Sequence, residues 1–174
     1  MKKAKKKIRR GDSAARIYES IRARILSMAL PPGAAIDEAA IVREVEVSGT
    51  PVSFVSMKVG DYDVRWDWDG TQRLFLRSQL GAPHMLTDGQ ASANTVVVLV
   101  VPYGVSAAGG GPEAQTIGTG AAFVYSDGLE VDGTWTRSSA TEPFVLEANG
   151  QPILIAPGRT WVELVDANNG LTDG

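Results

Sequence analysis

From Asp61 onward the apolar positions fall two apart. Val64, Trp66 and Trp68 alternate with Asp63, Arg65 and Asp67, the spacing of strands that bury one face. Asp69-Gly70 marks a hairpin turn, and residues 73–77 return as the second strand. Residues 95–101 are continuously apolar, which predicts a central strand. Residues 115–125 and 129–137 flank Asp127-Gly128, residues 144–147 and 152–155 flank Asn149-Gly150, and Pro157-Gly158 turns the chain into residues 160–165. These eight strands, joined mostly by short turns, predict an antiparallel sheet rolled or folded onto itself, as a barrel or a sandwich, over residues 61–166. The polar residues 167–174 are expected to fray as a flexible tail.

Before Asp61 the period is helical. Ile17, Ile21, Ile25 and Met28 recur three and four apart behind a cap at Asp12 or Ser13, and Pro31-Pro32-Gly33 stops the run. Asp37 caps a second helix carrying Ile41 and Val45. Residues 47–51 then predict a turn into a third helix, with Ser48 or Thr50 as its cap and Pro51 at its first position. Residues 1–11, which hold Lys2, Lys3, Lys5, Lys6, Lys7, Arg9 and Arg10, repel one another and form a tail expected to stay disordered until it meets an anion. The predicted organisation is thus a basic tail (1–11), a helical segment (12–60), a β domain (61–166) and a polar tail (167–174).

The order of these helical pieces, with Leu30-Pro31-Pro32-Gly33, Ile36-Asp37-Glu38 and Val47-Ser48-Gly49-Thr50-Pro51-Val52, resembles the start of a GntR-type winged helix-turn-helix over residues 12–52. The resemblance implies DNA contacts at Arg16, Ser48, Thr50 and Pro51. The pattern departs at Gly49 and Ser53, where that family has arginines suited to phosphate or guanine. Residues 53–60 are rich in β-branched side chains and no wing follows. The segment reads as a winged helix cut off within its recognition helix, so that DNA contact is expected to be weak and non-specific.

Charge sharpens this division. The 174 residues carry a net charge of −3, but residues 1–60 hold 12 Lys/Arg against 6 Asp/Glu and residues 61–174 hold 5 against 14. Contact with a polyanion therefore falls to the N-terminal segment. The absence of cysteine removes disulfides, thiolate zinc sites and thiol catalysis. No continuous apolar stretch follows the basic start, and the most apolar run, residues 95–102, is far too short to cross a membrane. A cytoplasmic protein is the resulting expectation.

Candidate chemistry is sparse. His84 is the sole histidine and has Asp88 near it in sequence, a weak metal pattern. Arg77 lies beside Phe75 and Arg137 beside Trp135, so that each can bind an anion or stack on a ring. Asn94 precedes the apolar strand and can serve the backbone of the 78–93 loop or a ligand. Of Trp66, Trp68, Trp135 and Trp161, alternation places at least two in the core. The Gly-rich residues 107–113 lack the phosphate-loop pattern, the carboxylate pairs Asp61/Asp63 and Asp67/Asp69 flank a hairpin, and no nucleophile elbow is visible. No catalytic residue, metal site or cofactor is predicted.

The β region also resembles the C-terminal domain of the YerB-like bacterial lipoproteins, whose function is unknown. The resemblance covers about residues 60–166. It rests on Val64-x-Trp66-x-Trp68-Asp69, Phe75-x-Arg77, Gly81-x-Pro83-His84, Asp88-Gly89, Ala93-Asn94-x-Val96-Val97, Gly118-x-Gly120, Gly128, Gly133-Thr134-Trp135-x-Arg137, Gly150-x-Pro152 and Pro157-Gly158-x-Thr160-Trp161-Val162. It implies a relative that is exported and lipid-anchored, with a larger N-terminal domain; this sequence shows neither the export signal nor the attachment cysteine. Together these readings lead to a non-catalytic binding or interaction domain with Arg77, His84, Asn94, Trp135 and Arg137 as candidate ligand contacts, its ligand or protein partner unknown. The alternatives are a GntR-like regulator with a degenerate recognition helix, and an enzyme or small-ligand receptor with a pocket near His84.

Overall fold

A computed structural model of the chain describes residues 22, 49–106, 109–155 and 157–174. The chain divides into two units, 1–48 and 49–174. In the first, Arg22 is helical and exposed. The described residues of the second unit form strands joined by turns and irregular loops. Its strands are β1 (Thr50–Pro51), β2 (Phe54–Val59), β3 (Tyr62–Asp69), β4 (Leu74–Gln79), β5 (Ala82–Pro83), β6 (Met85–Leu86), β7 (Gly89–Gln90), β8 (Ser92–Ala93) and β9 (Thr95–Val101). They continue as β10 (Tyr103–Val105), β11 (Pro112–Ala114), β12 (Gly118–Ser126), β13 (Leu129–Arg137), β14 (Val145–Ala148), β15 (Gln151–Pro152), β16 (Thr160–Asp166) and β17 (Leu171–Asp173).

Two larger sheets stack as an open sandwich, without closing into a barrel. The first runs β15-β14-β13-β12-β9-β16, with β1 added on β13; the second runs β17-β2-β3-β4-β5, with β8 added on β4. Small hairpins β6-β7 and β10-β11 decorate them. Between the sheets lie Val55, Trp66, Phe75, Val96, Val98 and Tyr125. The opposite face of the first sheet buries Val97, Leu99, Val101, Ala122 and Trp135 under Tyr103, Phe144 and Ile153. Strand β9 therefore has apolar neighbours on both faces, which is why its sequence is continuous rather than alternating. The Asp127-Gly128 and Asn149-Gly150 turns join strands in direct register, and all four residues have positive φ of 52° to 73°, the twist that a two-residue hairpin needs.

The expected architecture is corrected in three places. Residues 50–51 and 54–59 are strand, so the β unit begins at Thr50 and Gly60-Asp61 is the turn between β2 and β3 rather than a boundary. Gly60 takes φ of 58° there. Val55 and Met57 face the core, and that burial overrides the helix expected from Thr50 onward. The tail expected to fray carries β17, which pairs with β2, and Gly174 O accepts the Ser53 and Phe54 amides. Finally, β16 lies parallel to β9 from Thr160↔Thr95 to Asp166↔Val101, so the first sheet is mixed rather than antiparallel. The helices expected within residues 12–48 lie outside the described residues, Arg22 excepted. Among the described residues no helix is long and apolar enough to cross a membrane.

Candidate functional site

Strand β4 turns Phe75 and Arg77 inward. A guanidinium that is only 5% exposed needs a counter-charge, and β16 supplies it through Glu163, also 5% exposed, with Arg77 Nε 2.9 Å from Glu163 Oε1. Trp66 Nε1 donates to the same oxygen at 3.1 Å. One terminal nitrogen of Arg77 reaches Gln79 Oε1 at 2.8 Å and His84 Nδ1 at 2.7 Å. Arginine only donates, so His84 Nδ1 is the acceptor of this bond. The Arg77 guanidinium carbon lies 5.3 Å from the Trp161 ring centre and 5.9 Å from that of Trp66, and the His84 ring meets Trp161 edge-on at 6.1 Å.

The backbone around this cluster is equally engaged. The His84 amide donates to Arg77 O, the Arg77 amide to Ala91 O and the Ala91 amide to His84 O, while Gln90 Nε2 adds a bond to Arg77 O. These bonds fasten the arm of residues 80–91 to β4. Among the described residues no buried side-chain nitrogen or oxygen lacks a partner. The cluster is an internally satisfied ion pair with a histidine lid, and it ties β4 of one sheet to β16 of the other.

The remaining candidates sit in separate surroundings. Asn94 Oδ1 accepts the Arg159 amide at 2.9 Å, and the Asn94 amide donates to Arg159 O. Asn94 thus braces the 157–159 turn rather than the 78–93 loop expected from sequence. Trp135 is fully buried, donates from Nε1 to Val100 O at 2.9 Å and packs edge-on against Phe144; it is a core residue. Arg137 stacks its guanidinium 4.9 Å from the Phe144 ring centre. Its Nε bonds Glu142 O at 2.7 Å, and its terminal nitrogens bond Ala140 O and Thr116 Oγ1.

Two clefts open nearby. One, of about 390 Å³, is lined by Ile117, Thr136, Arg137, Glu142, Pro143 and Val145. The other, of about 580 Å³, lies on the outer face of the second sheet and is walled by Ser56, Lys58, Asp63, Arg65 and Ser78. Neither is lined by Arg77, His84, Asn94 or Trp135. Of the positions expected to touch DNA, Arg16 and Ser48 lie outside the described residues. Thr50 and Pro51 pair with Glu130 and Leu129 as β1, so they do not begin a helix. Among the described residues no group of three or more His, Asp or Glu side chains is placed to hold a metal ion.

Sequence reasoning missed Glu163 and the buried Glu130. The period of two carried the signal for the first: Glu163 shares a face with Trp161 and Val165, and a charge on an inward face calls for a partner.

Residues 54–162 match the family model described as the C-terminal domain of a protein of unknown function, DUF3048. The fold is similar to the crystal structure of the YerB protein from Bacillus subtilis, with a TM-score of 0.58 and 15% identity over 71% of this chain. The match spans 45% of that protein's length. No curated protein matches.

Proposed function

Because the chain belongs to the DUF3048 family, whose C-terminal domain it carries over residues 54–162, a family that supplies no activity, we propose a function from the surface itself: a non-catalytic binding domain that takes an apolar segment bearing a carbonyl or carboxylate in the cleft beside Arg137. The observation that carries this reading is the contrast between the two arginines. Arg77 is buried against Glu163 and its histidine neighbour is engaged, whereas Arg137 borders an open cleft whose walls include Ile117 and Val145, 57% and 46% exposed. Three of the five guanidinium N–H groups that an arginine has are bonded to the 116–142 framework. The guanidinium is thereby held in place with donors to spare, and such pre-organisation favours binding.

Selection of a random peptide library on the full chain, followed by NMR mapping of the selected peptides, tests this reading. Shifts are expected at residues 117, 136–138 and 142–145, and Val145→Asp is expected to weaken binding by about tenfold or more, roughly 1.4 kcal/mol. Selected peptides that bind the Val145→Asp and Arg137→Gln variants as tightly as the parent would overturn it.

A further inference from the structure

We propose that Tyr125, Glu130 and Asp173 form a proton-dependent latch that pins β17 across the seam between the two sheets and releases it when their shared proton is lost. Tyr125 Oη lies 3.0 Å from Glu130 Oε1 and 3.2 Å from Asp173 Oδ2. A phenol has one hydrogen to give. It can satisfy one carboxylate; the other must carry its own proton to complete a bond. Two ionised carboxylates around this hydroxyl would leave one facing only oxygen lone pairs.

The surroundings hold that proton in place. Tyr125 is fully buried and Glu130 is buried. Burial first, then the neighbouring Asp173 carboxyl, pushes the Glu130 carboxyl up to about 7, with Asp132 adding further negative field and the Tyr125 bond acting the other way. Burial and the two carboxylates raise the Tyr125 phenol as well, so it remains the donor. The residues that face the cluster from neighbouring strands are uncharged: Thr50 of β1 sits opposite Glu130, Val55 of β2 opposite Asp173, Val96 of β9 opposite Tyr125, and Phe75 of β4 against the Tyr125 ring.

Strand β17 is easily freed. It is three residues long, lies at the sheet edge and is held by its ladder to β2 and by the bonds of Ser53 and Phe54 to Gly174 O. A carboxyl kept protonated by the fold contributes its stability in full below the ordinary carboxylate range and loses it as pH rises through about 7. Above that, Glu130 and Asp173 repel, Asp173 moves to water, and β2 becomes the open edge of the second sheet.

Hydrogen exchange on the full chain, expressed as protection factors at pH 5.5 and 8.5, reads the latch. Protection at the β2 and β17 amides is expected to fall by about tenfold or more at the higher pH, while the β9 amides hold. Glu130→Gln keeps the shape and donates without titrating, so its protection should be flat across that range; Asp173→Asn should behave likewise. A parent profile that is already flat overturns the proposal, and so does a pH response that persists in both variants.

Discussion

The Arg77–Glu163 pair shows what one buried charge demands of its neighbours. Removing Arg77 leaves the buried Glu163 carboxylate without its counter-charge, with Trp66 Nε1 as its side-chain donor, and Arg77→Ala is expected to cost about 3–5 kcal/mol in urea unfolding. Replacing both members, as Arg77→Met with Glu163→Met, should recover most of that loss, because no charge is then stranded. His84→Ala should cost less, about 1–3 kcal/mol, since it leaves one guanidinium hydrogen unsatisfied rather than a whole charge. Asn94 and Gly158 offer a backbone counterpart. Gly158 holds φ of 131°, and a β-carbon there would run into the Asn94 side chain. Gly158→Ala should therefore lower stability by roughly 1–3 kcal/mol in thermal unfolding. Sequence marked Arg77, His84 and Asn94 as unusual polar residues in a strand-rich region. It could not show that the first two meet, because their contact depends on how the 80–91 arm folds back, and nothing local fixes that.

At the level of elements, the sequence was most legible where periodicity and turn chemistry agreed. The alternation of Val64, Trp66 and Trp68 became β3, and the Asp127-Gly128 and Asn149-Gly150 turns became hairpins. The direction of β16 was not legible, since turn residues report on chain neighbours and β16 chose β9, some 60 residues earlier in the chain. Strands β1 and β17 were missed for a related reason: two or three residues are too few to show a period, and pairing alone defines them. The apolar run of β9 was read correctly as central, and its two buried faces lead to a symmetric test. Val97→Ala opens a gap on the outer side and Val98→Ala on the inner side. Both should cost roughly 2 kcal/mol, about 0.8 for each methyl removed plus a cavity contribution. Val162→Ala on the neighbouring strand, where the side chain is 50% exposed, should stay within about 0.5 kcal/mol. Equal, small losses at all three positions in a denaturant series would show that β9 is not packed from both sides.

For the whole molecule, charge and folding divide the chain at the same place. A fragment of residues 49–174 contains every described strand and should unfold cooperatively, whereas one starting at Lys58 lacks Val55 and Met57 from the core and should not. The two parts also differ in sign: residues 1–48 hold 11 Lys/Arg against 6 Asp/Glu, and residues 49–174 hold 6 against 14. Any affinity for DNA then belongs to the first part, and its character follows from the residues present. Seven of the first ten residues are Lys or Arg, able to displace counterions from phosphates without reading bases. Base reading at residues 50–53 would require a helix, and Thr50 and Pro51 are tied into β1. If about seven phosphates are neutralised, affinity should fall on the order of a thousandfold or more between 50 and 200 mM salt. Fluorescence anisotropy on random and palindromic duplexes measures this directly. The full chain should bind both alike and lose both at the higher salt, and residues 49–174 alone should bind neither. A preference of about tenfold for one duplex, worth roughly 1.4 kcal/mol, that survives at 200 mM salt would place sequence-reading contacts within residues 1–48 and make regulated DNA binding the function to pursue.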